Sequence, residues 1–238
     1  EIFRLGMELS ESVDGKTEMA KTPLHVGVVS TIPKSLLYRL LAPALPRTEQ
    51  GPLRLHQGSL EQLLSLMSAG GLHLILTEEK PPQGLSQHIY CRPLMDTPIA
   101  LYGTASLVDS YRAQFPFSLS GAPMLLPSRS SGLRTLLEDW LSAHKIRVRV
   151  LGEFDDMETL REFGSQGHAL FPLPSICAAE SSLGLGIESL GVLPNLKESI
   201  YALSPERRSH RVDVRRILDH APAKASELSP RLEVLEPT

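Results

Sequence analysis

Leu24-His25-Val26-Gly27-Val28-Val29-Ser30-Thr31-Ile32-Pro33 is an apolar run that closes on two hydroxyls and a proline. Its β-branched residues predict a buried strand, and Pro33 with Leu36, Leu37, Leu40 and Leu41 predicts a helix over 33–41. Proline at the first helical position costs nothing, because its missing N–H would be unpaired there anyway. The junction carries Ser30 and Thr31 to a helix start, where unpaired backbone N–H groups favour small ligands.

The unit repeats downstream. Pro52 to His56 alternates as a strand, and Ser59 with Gln62 has capping-box spacing ahead of a helix whose buried stripe is Leu60, Leu63, Leu64 and Met67. Gly70-Gly71 ends that helix, and Leu72 to Leu76 is a third strand that breaks into Thr77-Glu78-Glu79. Strands alternating with helices through short loops require a parallel sheet with right-handed crossovers, and ligands sit off the carboxyl ends of such strands. The first set of strand ends is Ser30, Thr31, Gly58, Ser59, Thr77 and Glu78.

After Pro93 to Thr97 the pattern begins again, with a strand at 98–102, a strand at Met124 to Pro127 and a helix over Leu133–Ala143. Val148 to Leu151 is the next strand; Asp155 and Glu158 are spaced as a capping box for a helix through Phe163. Ala169 to Ser175 is a further strand, turning into a short helix around 176–180. This second set of ends contributes Arg129, Ser130, Ser131, Asp155, Asp156, Pro172, Leu173, Pro174 and Ser175. Lys197 to Leu203 alternates as a strand that leads back to the first unit, and 210–221 reads as a closing helix. The expected architecture is α/β: two Rossmann-like lobes joined by two crossover strands and hinged around a cleft. Lobe I comprises 24–95 and 201–221, and lobe II comprises 96–200, with a polar tail over 222–238.

Residues 1–13 place Ile2, Leu5, Leu9 and Val13 on one helical seam, and 14–23 read as a linker, so the chain reads as cut from something longer. At 238 residues, with 42% hydrophobic and 21% charged residues, the composition is that of a globular protein with a substantial core. A net charge of −3 supplies no general field for nucleic acid. Cys91 and Cys177, far apart, point to a reducing cytoplasm. No segment approaches the ~20 apolar residues that span a bilayer, so no membrane role is expected.

The junction hydroxyls Ser30, Thr31, Ser59, Ser130 and Ser131 have a plain alternative as helix caps; their convergence on one cleft favours a ligand. Glu78, Glu153, Asp155 and Asp156 offer hard oxygens to a small monovalent cation, against the plain reading of carboxylates at helix starts. The histidines have no metal-site spacing, and His168 alone stands out as a pH-responsive candidate. No nucleophile elbow, phosphate loop or dinucleotide fingerprint follows a strand, so no catalytic residue and no cofactor is expected. Arg207, Arg208, His210, Arg211, Arg215 and Arg216 form the basic cluster, read as surface.

Gly58-Ser59 after the second strand, with Leu126-Pro127-Ser128-Arg129-Ser130-Ser131-Gly132-Leu133-Arg134, resembles the effector-binding domain of LysR-type transcriptional regulators. Within that family, Phe3-Arg4-Leu5, Leu151 to Asp156, Phe163-Gly164 and Phe171 to Ser175 resemble the NhaR branch. The resemblance implies the type II periplasmic-binding-protein fold and an effector held by Ser30, Thr31, Ser59, Arg129 to Ser131 and 172–175. It also implies a dimer or tetramer formed through a linker helix ending in the 2–13 seam, and DNA contact through a winged helix-turn-helix upstream of this chain. The NhaR branch is associated with activating sodium/proton antiporter genes in response to sodium or lithium, so the resemblance extends to an ion effector. The rival reading on the same fold is a solute-binding protein that delivers a small molecule to a transporter.

Overall fold

The computed structural model describes residues 22–45, 51–81, 89–177, 186–205 and 211–220. The seam at 2–13, most of the 14–23 linker, the basic run 207–210 and the 222–238 tail lie outside the described residues.

The apolar opening stretch forms β1 (Leu24–Val29), which lies parallel to β2 (Leu53–Gly58) on one side and to β3 (Leu74–Thr77) on the other. Between them run α1 (Lys34–Leu41) and α2 (Leu60–Ser68), each burying the leucines that its 3.6-residue period aligns. Gly27 permits the close approach of α2 to the sheet, since a Cβ there would stand 2.8 Å from Leu72 Cδ1 and 3.0 Å from Leu63 Cδ2. The sheet continues through β8 (Ile187–Ser204), β4 (Tyr90–Thr104) and β7 (Phe171–Pro174), giving the order β2-β1-β3-β8-β4-β7.

β5 (Pro123–Pro127) and β6 (Arg149–Phe154) pair in parallel. β5 joins the chain just before β7 through a Met124–Leu170 bridge and the Leu125 N–H donated to the Leu170 carbonyl at 2.9 Å. Around these strands lie α3 (Ala105–Arg112), α4 (Gly132–Ala143) and α5 (Met157–Ser165), while α6 (Val212–His220) returns to the first sheet half. Two apolar cores result. One gathers Val26, Val28, Leu74 to Leu76, Leu36, Leu40, Val214 and Ile217. The other gathers Leu101, Met124, Leu137, Leu160, Leu170 and Phe171. β4 and β8 pass through both, so they are the crossover strands on which the lobes hinge.

Several boundaries differ from the sequence expectation. Pro33 is extended at φ −56°, ψ 138° and precedes α1 instead of opening it. Tyr90 to Thr104 is one long strand, not two segments. Its register shifts at Pro93/Met95 and Pro98/Ala100 absorb the two prolines as bulges. The strand expected at 197–203 begins ten residues earlier, at Ile187. The capping residue of α5 is Asp156, not Asp155: its carboxylate accepts from the Thr159 N–H at 2.8 Å. Beyond β7 only a single 3₁₀ turn, Ser175–Cys177, is described, and Ile176 and Cys177 pack into the first core.

Candidate functional site

The carboxyl ends of β1, β2 and β3 face those of β5 and β6 across a cavity of about 250 Å³. Its wall is Val29, Ser30, Thr31, Gly58, Ser59 and Leu60 with Thr77, Glu78 and Glu79 from one lobe, and Ser130 and Asp155 from the other. Organic-ligand pockets run from roughly 300 Å³ upward, so this volume suits a very small molecule or a hydrated ion.

Four of the five hydroxyls divide by role. Ser59 is a helix cap: it accepts from the Gln62 N–H at 3.3 Å, while Gln62 Oε1 accepts from the Ser59 N–H at 3.0 Å. Ser130 meets the Ser128 hydroxyl at 2.8 Å. Ser131, at the start of α4, does not cap its own helix and is only 2% exposed. Instead its hydroxyl donates to Glu78 Oε1 at 2.8 Å, and the Gly132 N–H donates to the same oxygen at 2.9 Å. The Thr31 hydroxyl also stabilises the ionised Glu78 carboxylate. Glu78 therefore bridges the lobes. Burial pushes its carboxyl up from the ordinary glutamate range, and these three donors oppose that shift.

A second bridge links α1 of one lobe to the start of α5 in the other. The Lys34 N–H donates to Glu158 Oε1 at 3.1 Å, and Lys34 Nζ stands 3.7 Å from Asp156 Oδ1. Desolvation works against the charged Asp156, but its bonds to Thr159 and the Lys34 charge outweigh it and hold the carboxyl below the usual aspartate range.

Ser30, Thr31, Gly58, Ser59, Thr77, Glu78, Ser130 and Asp155 thus share the cavity wall, with Ser131 behind it. The other expected residues stand elsewhere. Arg129 is exposed and outside the wall. Pro172, Leu173 and Pro174 are buried in β7 against β4, with Pro174 opposite Ile99, and Ser175 is 8% exposed in the turn beyond. The four-carboxylate cation set is not assembled either. Glu153 Oε1 accepts from Arg134 Nη2 at 2.8 Å, and Asp156 serves as cap and ion pair, which leaves Glu78 and Asp155 on the wall. Among the described residues no group of three or more His, Cys, Asp or Glu side chains is arranged to hold a metal ion. His168 is exposed.

Glu198 escaped the sequence reading. It lies on β8 opposite Thr97 of β4, at the crossover between the lobes, and is 2% exposed. Its Oε1 has no hydrogen-bond partner among the described residues. Burial, together with the Glu78 charge, pushes its carboxyl well above the ordinary glutamate value. The signal was present in the alternation: Glu198 shares its phase with the buried Ile200 and Ala202, so a carboxyl occupies a core position of a strand.

The LysR substrate binding domain family model matches residues 18–226. The transcriptional activator protein NhaR of Escherichia coli K12 is 25% identical over 216 residues, spanning 91% of this chain and 70% of NhaR. The reduced regulatory domain of OxyR2 from Vibrio vulnificus superposes with a TM-score of 0.69 at 14% identity, covering 90% of this chain and 99% of that one. The regulatory domain of CcmR from Synechocystis PCC6803, solved in complex with 2-PG, gives 0.65 at 17% identity, covering 87% and 98%. With the family model spanning both lobes and the cavity between them, this chain belongs to the LysR substrate-binding-domain family of transcriptional regulators, on the type II periplasmic-binding-like α/β fold.

Proposed function

We propose that the interlobe cavity is the effector site of a LysR-type transcriptional activator, and that a small monovalent cation, sodium or lithium, occupies it. The observation that carries this reading is a small cavity walled by strand ends of both lobes, with Glu78 and Asp155 contributing carboxylates to it. The likeness to the transcriptional activator NhaR supports the activating role, and the NhaR-like segments of the sequence support the ion. A ligand that binds one arrangement of the lobes more tightly shifts the population toward it, by no more than that difference in affinity.

The wider assembly belongs to the same proposal. The lobes divide at about residues 95 and 200, and the domain pairs with a second copy. It relays the lobe arrangement to winged helix-turn-helix domains on DNA in the cytoplasm. The edge strand of each lobe supports pairing: Leu55 on β2 is 50% exposed, and Val150 and Leu151 on β6 are 42% and 45% exposed. No described helix is long and apolar enough to cross a membrane.

Thermal unfolding with sodium, lithium and potassium salts and small carboxylates, at constant ionic strength and at about pH 6.5 and 8.5, tests the effector. Saturation at 100 times the Kd stabilises by about 2.7 kcal/mol. A rise with sodium or lithium, abolished by Asp155→Asn, is expected. A rise with an organic acid alone would overturn the cation and leave the cavity as the effector site.

A further inference from the structure

We propose that Glu78 is a built-in anion for the N-terminus of α4: its carboxylate fills the position that an anionic effector would take and so closes the cleft to that class of ligand. The proposal rests on reading the cavity as the effector site, and it names the charge that the site excludes.

The first turn of a helix presents unpaired N–H groups and the positive end of the dipole, and some acceptor must meet them when the turn is not open to water. α4 has twelve residues, and its own cap side chain does not serve it. Ser131 turns its hydroxyl across the cleft, and with the Gly132 N–H it converges on one oxygen of Glu78 at 2.8 and 2.9 Å. This arrangement of a hydroxyl and a helix N–H on a single oxygen is how a free carboxylate or sulfate would be bound, except that the anion here is tethered to β3. The fit is close. A Cβ on residue 132 would stand 3.3 Å from Glu79 Cγ and 3.4 Å from Glu78 Cγ, so the glycine lets the glutamate stem reach the turn.

Glu198 is the second, independent observation. Its Oε1 is buried with no partner among the described residues, and the Glu78 charge adds to burial in raising its carboxyl well above the ordinary glutamate range. The Glu78 region therefore holds two carboxyl groups, with Glu79 adjoining and Asp155 on the facing wall. A free anion entering this cleft meets an occupied helix terminus and acidic neighbours. A cation or a neutral molecule meets these carboxylates together with the hydroxyls of Ser30, Ser59 and Ser130.

The test is to remove the tethered anion from the 238-residue chain and supply a free one. Sodium sulfate and sodium chloride are compared at equal ionic strength, by calorimetric titration and thermal unfolding, on the native chain and on Glu78→Ala. Saturable sulfate binding that is roughly tenfold or more tighter in Glu78→Ala is expected, the scale of a favourable helix-terminus charge interaction. Adding Ser131→Ala in that background should weaken it. If Glu78→Ala fails to fold, Glu78→Ser carries the same comparison, since its side chain is too short to reach α4. Equal sulfate affinity in the native and substituted chains, or no sulfate binding in either, would overturn the proposal. Because the measurement reads the α4 terminus and not the natural effector, it can succeed where the cation reading fails, and the reverse.

Discussion

Glu198 is the residue whose protonation the fold itself controls. In the unfolded chain its carboxyl titrates near 4.5; in the folded chain burial and the Glu78 charge raise it well above that. The folded state thus holds a proton that the unfolded state has released. That contribution to stability is complete below the unfolded value and is lost as pH rises through the folded one. Glu198→Gln removes the titration while keeping the shape. Its stability relative to the native chain should therefore climb as pH rises above about 4.5, until the folded carboxyl ionises, read as the difference between denaturant midpoints across that range. Subtracting the two chains cancels His25 and His73. Both are lowered chiefly by burial, and they act with the opposite sign, costing stability as pH falls below 6.5. A flat difference would show that Glu198 is ionised or solvated at neutral pH. Arg134 is the counterpart on α4, 3% exposed and bonded to Glu138, Glu153 and the Pro127 carbonyl. Neither residue was singled out from sequence, because each follows the apolar phase of its element while its partners come from distant segments. The ion pair of Glu153 was hidden for the same reason: its partner, Arg134, lies nineteen residues away, on α4.

At the level of elements, strand ends and helix starts were the most legible features, because each is written locally. The Ser59–Gln62 box forms with both of its hydrogen bonds, at the spacing the sequence shows. What stayed hidden were the two crossover strands, and the physical reason is that they serve two cores. β4 carries prolines at 93 and 98 that read as strand ends; in the sheet they fall at register shifts, where a missing N–H breaks no ladder. β8 changes its packing partners midway, so its alternation resets around Gly191 to Asn195, where Gly191 and Asn195 both have positive φ. α3 was missed because it fully buries only Val108, with Leu107 and Tyr111 half-buried beside it. The hydroxyl roles give the element-scale prediction. Ser59→Ala removes a cap that holds the first turn of α2 and should cost about 1 kcal/mol, roughly 2–4 °C in Tm for a chain of this size. Ser130→Ala, whose hydroxyl meets that of Ser128, should change Tm by less than about 1 °C while leaving the cavity wall one donor poorer. Equal losses from both would mean that the α2 cap is not what Ser59 contributes.

The whole molecule has one closed and one open direction. Along the sheet axis the lobes are tied by β4 and β8 and by two side-chain bridges, Glu78 to Ser131 and Gly132, and Lys34 to Asp156 and Glu158. Across it, each lobe ends in a strand with no described neighbour on its outer side: β2 in one lobe and β6 in the other. Unpaired strand edges invite another chain unless charge or a bulge blunts them. Here the apolar Leu55 projects from β2, and Val150 and Leu151 from β6, each more than two-fifths exposed. Phe163 on α5 adds to the second edge, packed on Phe154 at a centroid distance of 5.1 Å and itself 57% exposed. A two-fold axis can bring such edges together twice in one interface, which doubles the effect of any single change. Leu55→Lys and Leu151→Lys should therefore each shift the proposed dimer to monomer in sedimentation equilibrium, with unchanged unfolding of the isolated protomer, since neither side chain lies in a core. Dimers that survive both substitutions would move the interface off the sheet edges. An effector that changes the angle between lobes would then change the distance between two copies, because each edge belongs to a different lobe. Adding the effector identified by thermal unfolding should accordingly alter the radius of gyration of the proposed dimer in solution scattering, and leave that of the Leu55→Lys chain nearly constant.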